Sequence, residues 1–356
     1  MNIGINGFGR IGRCLIRILW ETGTHTVAHI NELNPDIDNI AYLLKYDTTY
    51  GKFKAGVRNN GGNLIIEDDN KHWEISISSN ADITAVNWRK YGCNCVVVSS
   101  GADREADCAK TIISNGVEHV IVTNHYKGAD FILLFGINDA NINANNHRVI
   151  ATSICDSNAI APVLNVLNAK IGIEYCFVTT LHPWLSYQRL TDSFIHSESF
   201  PAAFYNYYPL GRASVNNLIP KSTSAGNVIE DLIPTLAGKV SSFSYRTPLA
   251  IVSSSDCSLV MARVTSIEEI TTVVKEFSEQ CKAPNGRQIV KTGKESLVSS
   301  DYIAEQASCT VDMDWLNLDN GRFLKCILWY DNEWGYTSRV ADTIDLLSKQ
   351  KGERRL

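Results

Sequence analysis

The chain opens on an alternating apolar segment, Ile3-Gly4-Ile5-Asn6, which reads as a short strand running straight into Gly7-Phe8-Gly9-Arg10-Ile11-Gly12. Ile11, Leu15, Ile16, Ile18 and Leu19 then recur at helical spacing, so the order is strand, tight turn, helix. Val27-Ala28-His29-Ile30 forms a second apolar strand, and residues 40–46 carry a helical pattern followed by a polar, turn-rich loop over 47–53. Residues 63–67 and 73–78 alternate around Asp68-Asp69-Asn70, a hairpin signal. Short apolar runs at 95–98, 119–122, 131–135 and 148–151, with a helix expected over 104–115, continue the series. Strands that alternate with helical segments predict an α/β unit built on a doubly wound parallel sheet of the Rossmann type.

The pattern changes after Ala169. Longer alternating runs at 174–181, 243–253, 258–264 and 322–329, with one amphipathic helix over 267–281, predict an α+β unit whose mostly antiparallel sheet is covered on one face. Between His182 and Pro220 lies an aromatic, proline-containing stretch with little periodicity, and loops of that length are usually functional or interfacial. A last helix over 336–349, apolar at Val340, Ile344, Leu346 and Leu347, is expected to pack back on the first unit. The expected domains are therefore 1–153 with 336–356, and 154–335.

A length of 356 residues suits two such domains. The chain is 44% hydrophobic and 20% charged, the make-up of a globular protein, and its formal net charge of −5 argues against nucleic acid or a membrane surface as the main partner. The basic stretch at 349–355 reads as a solvated end. No apolar run approaches the length of a membrane span, and the strand beside Met1 leaves no room for a leader, so the expected compartment is the cytoplasm. The ten cysteines are scattered and complete no zinc motif; nine read as structural thiols of a reducing compartment, and no metal is expected.

Chemistry enters through the glycines. Gly7 permits the turn, Gly9 lets the backbone approach a pyrophosphate, and Gly12 lets helix and strand pack closely, with the helix N-terminus facing the anion. Glu32 follows Asn31 at the end of the second strand, where a carboxylate meets a ribose hydroxyl pair and repels a 2′-phosphate, which favours NAD over NADP. Cys155 falls at the start of a helix patterned by Ala159, Val163, Leu164, Val166 and Leu167, a position that lowers a thiol pKa and favours the nucleophilic thiolate. His182, at a strand end, is the partner base that would make Cys155 a nucleophile; taken singly, such a cysteine is more often structural and such a histidine more often an ordinary surface or packing residue. Asp331-Asn332-Glu333-Trp334-Gly335-Tyr336 joins a strand to a helix, either as a cap at Asp331 or Asn332 or as the source of an amide that fixes a nicotinamide carboxamide.

The sequence resembles the phosphorylating glyceraldehyde-3-phosphate dehydrogenases and their relatives, the erythrose-4-phosphate dehydrogenases, over nearly its whole length. The likeness rests on residues 6–13, Ile30-Asn31-Glu32-Leu33, Leu43-Leu44-Lys45-Tyr46-Asp47, Cys155 with Asn158 and Ala161-Pro162, Thr179-Thr180-Leu181-His182, and residues 329–336. The Asn-Glu-Leu and Leu-Leu-Lys-Tyr-Asp runs look more like the erythrose-phosphate branch. The resemblance implies a NAD-binding domain, a catalytic domain, and a homotetramer whose long loop, here 183–217, lies at subunit interfaces. It implies cofactor contacts from Gly7, Phe8, Gly9, Arg10, Ile11, Gly12, Asn31, Glu32, Ser100, Gly101 and Thr123, with Asn332 on the nicotinamide and Tyr336 close to it. It implies covalent chemistry, in which Cys155 attacks an aldehyde to give a thiohemiacetal, His182 assists, hydride passes to NAD, and a thioester remains. The Cys155 amide and His182 would stabilise the oxyanion.

The departures bear on the acyl acceptor. In the phosphorylating family the cysteine lies in a Ser-Cys-Thr-Thr-Asn run whose hydroxyls bind the attacking inorganic phosphate; here the run is Ile154-Cys155-Asp156-Ser157-Asn158. Asp156 would repel that phosphate at a cost on the order of a kcal/mol or more. The family's phosphate-binding arginine falls at Leu210, Thr223 is kept, its glycine neighbour is Ser224, and Arg212 matches a different family arginine. At the site for the substrate's own phosphate, Arg246 is kept, whereas a threonine is replaced by Leu185, and Trp184 and Tyr187 make the wall more aromatic. The expectation is NAD-dependent oxidation of a small, phosphorylated, sugar-like aldehyde bound by Arg246, Thr223 and Asp156. The thioester is expected to be released by water that Asp156 positions, although a carboxylate there also raises the thiol pKa. A phosphorylating glyceraldehyde-3-phosphate dehydrogenase is the first alternative, and a NAD-binding paralogue without catalysis the second.

Overall fold

A computed structural model describes residues 1–196 and 206–352; part of the long aromatic loop and the last basic residues lie outside the described residues. The chain divides into two compact units, Met1–Leu133 with Asn141–Thr152 and Thr337–Leu356, and Leu134–Ala140 with Ser153–Tyr336.

The first unit is β1 (Asn2–Asn6), α1 (Arg10–Thr22), β2 (Thr26–Asn31), α2 (Ile37–Lys45), β3 (Gly56–Asn60), β4 (Asn63–Glu67), β5 (His72–Ser78), β6 (Cys95–Val98), α3 (Asp103–Ala106), α4 (Ala109–Ser114), β7 (His119–Val122), β8 (Phe131–Ile132) and β9 (Val149–Ala151). They form one nine-stranded sheet in the order β3-β4-β5-β2-β1-β6-β7-β9-β8. Pairing is parallel from β5 through to β8, and only the β3–β4 and β4–β5 pairs, at one edge, are antiparallel. This is the doubly wound sheet expected from the alternating pattern. The strand order reverses at β1, which has β2 on one side and β6 on the other, so the turn after β1 opens at the crevice where such sheets bind ligands. Ile3, Ile5, Val96, Val97, Val120, Ile121 and Ile150 are fully buried, which is why these strands read as unbroken apolar runs.

Three details differ from the sequence reading. The helix expected over 104–115 is two short helices, because Cys108 N–H turns back to the Glu105 carbonyl. The run at 131–135 contributes only the two-residue β8; beyond it, Leu134 N–H is taken by the Asn138 side chain at 2.8 Å. The largely polar β3 was not foreseen, since only one of its residues is buried.

The second unit contains α5 (Cys155–Lys170), β10 (Ile173–Pro183), β11 (Ile219–Ser222), α6 (Ala225–Leu232), β12 (Val240–Thr247), β13 (Ser253–Met261), α7 (Ile267–Gln280), β14 (Val290–Gly293), β15 (Cys309–Asp319), β16 (Phe323–Tyr330) and the start of α8 (Trp334–Gly352). Its seven strands follow the order β11-β12-β10-β13-β16-β15-β14. The sheet is mostly antiparallel, with parallel pairs at β10–β12 and β14–β15. α5, α6 and α7 pack on one face, while Tyr175, Phe177, Leu181 and Phe323 stand exposed on the other. The single run read over 243–253 is broken: β12 stops before Pro248, which lacks the N–H a sheet ladder needs, and Val252 adopts a φ of 70° before β13 begins.

From Thr337 onward α8 belongs to the first unit. There Asp345 accepts from His25 at 2.9 Å, and the Gln350 amide bonds the backbone of Ile142 and Ala144. Among the described residues no helix is long and apolar enough to cross a membrane.

Candidate active site

In the first unit, the turn after β1 has the form its glycines require. Gly7 adopts a φ of 90°, and a Cβ there would lie 2.5 Å from the Ser100 backbone. A Cβ on Gly12 would lie 2.5 Å from the Gly7 carbonyl oxygen, whereas one on Gly9 would meet nothing within 4 Å. Gly7 and Gly12 thus shape the turn, and Gly9 leaves an open approach to the backbone. The Phe8 side chain is buried, Ile11 is half-buried on α1, and Arg10 is ion-paired with Asp47.

Glu32 sits at the end of β2, where its Oε2 accepts from Phe8 N–H at 2.7 Å and so ties the carboxylate to the glycine turn. Asn31 has a supporting place: its side chain bonds Asn6, Ser78 and Asn80, and its carbonyl accepts from Gly7 N–H at 2.9 Å. Ser100 donates to Glu105, Gly101 has a φ of 81°, and Thr123 donates to the Val98 carbonyl at 2.9 Å. An open, glycine-lined backbone at the switch point beside a fixed carboxylate fits a dinucleotide.

In the second unit, Cys155 is the first residue of α5, and Asp156 follows it in the same first turn. The entry is fixed by Ser157, which bonds Ile154 N–H and the Ser153 hydroxyl, and by Tyr336, whose hydroxyl donates to the Ser153 carbonyl at 3.1 Å. β10 brings in His182 at its end. Cys155 Sγ lies 3.4 Å from Asp156 Oδ1 and 3.8 Å from His182 Nε2. Sγ, an Asp156 oxygen and a His182 nitrogen all lie within 4.8 Å of one another, and their donor types are also those of a zinc site. His182 Nδ1 donates to the Pro183 carbonyl at 2.8 Å, which leaves Nε2 as the lone-pair nitrogen facing the thiol.

The electrostatics of this cluster correct the expectation of a lowered thiol pKa. Burial and the Asp156 carboxylate push Cys155 well above the ordinary thiol value, outweighing the favourable helix terminus. Burial, with Arg246 beside it, pulls His182 down to about 4. The resting pair is therefore neutral thiol and neutral imidazole, and the nearest acceptor for the thiol proton is Asp156.

Asp156 itself is almost fully buried, accepts from the Tyr330 hydroxyl at 2.9 Å, and has the Thr223 hydroxyl at 3.5 Å. Burial and Asp156 raise Tyr330 well above the usual phenol range, so it remains a donor. Tyr330 had no assigned part in the sequence reading, because only the pairing of β13 with β16 sets its ring beneath α5. Arg246 faces His182 across the β10–β12 ladder, and its guanidinium is 3.5 Å from the Tyr187 hydroxyl. Leu210 is a core residue packed with Ile195, Ile219 and Tyr187, and Arg212 is exposed and paired with Asp192 at 2.8 Å.

At the other end of the unit Asp331, not Asn332, caps α8: its Oδ1 accepts from Glu333 and Trp334 N–H at 3.0 and 2.8 Å. Asn332 is buried with its side-chain oxygen unpartnered among the described residues, an atom suited to bond an incoming amide. Among the described residues no disulfide joins any of the ten cysteines; eight are buried, and Cys108 and Cys155 are half-buried.

Comparison with known proteins agrees with this geometry. Residues 1–106 match the family model for the glyceraldehyde 3-phosphate dehydrogenase NAD binding domain, and residues 154–332 match that for the C-terminal domain. The chain is 34% identical to a glyceraldehyde-3-phosphate dehydrogenase of Priestia megaterium, covering 96% of each chain. It is 33% identical to glyceraldehyde-3-phosphate dehydrogenase 1 of Bacillus subtilis, covering 98% of this chain and 99% of the relative. A cytosolic glyceraldehyde-3-phosphate dehydrogenase of Gracilaria gracilis is 32% identical, covering 98% of each. With a dinucleotide turn in one unit and a cysteine–histidine pair in the other, the chain belongs to the glyceraldehyde-3-phosphate dehydrogenase family of NAD-dependent oxidoreductases.

Proposed function

We propose that this protein oxidises a small, phosphorylated, sugar-like aldehyde, of the kind handled by erythrose-4-phosphate dehydrogenases, and releases the acyl group from Cys155 to water. The observation that carries the reading is the Asp156 carboxylate, buried against Sγ and held by Tyr330. An anion fixed there disfavours an attacking phosphate and provides a base for water.

In this reading the Cys155 sulfur attacks the aldehyde carbon, and its proton passes to His182 Nε2, directly or through Asp156 Oδ1, so that Asp156 is again a carboxylate afterwards. His182 then exchanges a proton with the substrate oxygen, first stabilising the oxyanion of the thiohemiacetal and later removing the hydroxyl proton. NAD, when bound, supplies the acceptor for the hydride lost as the thiohemiacetal becomes a thioester. Asp156 removes a proton from the water that attacks the thioester, giving a carboxylic acid and the free thiol. Glu32 and the Gly7–Gly12 backbone hold the dinucleotide, and Asn332 bonds the nicotinamide amide.

Arg246 grips the substrate phosphate. The exposed aromatic face of the second sheet supports burial between copies, in keeping with a homotetramer, and the cytosolic relatives support a cytosolic enzyme. The second reading, a phosphorylating glyceraldehyde-3-phosphate dehydrogenase, is favoured by the names of the relatives.

NADH formation over a panel of phosphorylated and unphosphorylated aldehydes, with and without inorganic phosphate and against Cys155→Ala, separates the readings. Turnover without phosphate is expected, and a strong, saturable phosphate requirement overturns release by water. No turnover with any aldehyde, together with a Cys155 no more reactive than an ordinary thiol, would leave a NAD-binding paralogue.

A further inference from the structure

The helix-covered face of the second sheet carries two cations. In register, His182 lies opposite Arg246 and Arg246 opposite Ile219; in the neighbouring row Thr180 lies opposite Ser244 and Ser244 opposite Lys221. Directly opposed residues share a face, so β10, β12 and the edge strand β11 set Thr180, His182, Ser244, Arg246 and Lys221 on the same side of the sheet.

These groups lack an anion. Neither Lys221 nor Arg246 is within ion-pair distance of a carboxylate among the described residues; the Lys221 ammonium bonds only the Ser222 carbonyl, at 3.0 Å. Arg246 is 8% exposed with its Nε unpartnered, and the hydroxyls of Thr180 and Ser244, at 0% and 2% exposure, are also unpartnered. Buried donors in native structures are nearly always satisfied, so three unmet donors, one of them on Arg246 itself, with the Lys221 ammonium beside them mark a place for an oxyanion. The local charge agrees: Arg246 and Lys221 contribute +2, Asp156 contributes −1, and the thiol and imidazole are neutral. Partial burial and the repulsion of Arg246 lower the Lys221 pKa, while Asp156 raises it, so the ammonium feels both groups.

We propose that Lys221 is a specificity-determining residue that binds, together with Arg246, a phosphate dianion in this site. The inference rests on the reading of Arg246 as an anion-binding residue but not on the chemistry at Cys155. The phosphate could be the substrate's own phosphate monoester or free inorganic phosphate acting as acyl acceptor, and the test distinguishes them.

Calorimetric titrations use the NAD-loaded protein at constant ionic strength with sn-glycerol 3-phosphate, inorganic phosphate, and glycerol as the uncharged control. The wild type is expected to bind glycerol 3-phosphate and not glycerol, Lys221→Met to bind it roughly ten- to a hundredfold more weakly, and Lys221→Arg to restore most of the affinity. In kinetics, Lys221→Met raises KM for a phosphorylated aldehyde and leaves KM for its unphosphorylated counterpart unchanged. Equal affinity of wild type and a folded Lys221→Met, or of Lys221→Gln if the methionine variant does not fold, overturns the proposal, as does failure of the wild type to bind either phosphate. Tighter, Lys221-dependent binding of inorganic phosphate that also accelerates turnover upholds the Lys221 site and overturns release by water. Lys221-dependent binding without any turnover upholds the site and overturns the proposed oxidation.

Discussion

Replacing Asp156 by asparagine tests the electrostatics and the chemistry of the site at once. The carboxylate lies 3.4 Å from Sγ, and at that separation two unit charges repel by about 5 kcal/mol at an effective dielectric constant of 20, an upper figure for a group that also loses a hydrogen bond. If a third of that survives relaxation, removing the charge raises the thiolate fraction at neutral pH about tenfold. A less basic thiolate is a weaker nucleophile, which takes back about half of the gain on a logarithmic scale, so iodoacetamide should modify Asp156→Asn at Cys155 roughly threefold faster or more.

The same variant loses the base proposed for acyl release, a group whose removal slows a step by about 10²–10⁴-fold. Stopped-flow absorbance should therefore show one NADH per active site formed in a burst at or above the wild-type rate, then a slow steady state. Slower alkylation of the variant refutes the assignment of Asp156 as the group that holds the thiol protonated. An undiminished steady-state rate refutes its part in release.

Three further outcomes follow from the geometry. His29 and His182 both titrate at about 4 in the fold instead of the ordinary 6.5, so folding favours their neutral forms and stability is lost as pH falls through that window, by about 1.4 kcal/mol per pH unit for each. Urea midpoints measured from neutral pH down to about 4 should fall, and His29→Asn should flatten the slope. Asn332→Ala removes a buried oxygen that has no partner among the described residues, so the thermal midpoint should hold or rise while KM for NAD increases; a clear loss of stability contradicts the unpartnered geometry. Gly7→Ala places a Cβ 2.5 Å from the Ser100 backbone at a φ of 90°, and loss of NAD binding is expected by fluorescence titration, where wild-type affinity would contradict the crowding.

Much of the first unit was legible because its signals are local. A buried parallel strand is an apolar run, and Gly7, Gly9, Gly12 and Glu32 carry their roles in backbone freedom and spacing along one strand–turn–helix–strand unit. Cys155 and His182 could be nominated singly, from a helix start and a strand end. The misplaced or missed elements include β3, with one buried residue, the division of α3 from α4, the shortened β8, the break at Pro248 within an otherwise alternating run, and the strands β11, β14 and β15.

The sequence by itself determined the sheet order's raw material, the dinucleotide turn and the candidacy of Cys155 and His182, because propensity, periodicity and glycine geometry act over a few residues. Only the tertiary structure decided the protonation state of Cys155, the cap at Asp331, the Asn332 side-chain oxygen left without a partner among the described residues, and the meeting of Tyr330 with Asp156. It likewise decided the shared face of Lys221 and Arg246, residues brought together by strand pairing between distant segments. Burial and non-local register set these properties, since the energy of a charge depends on what is packed around it and not on its neighbours in the chain.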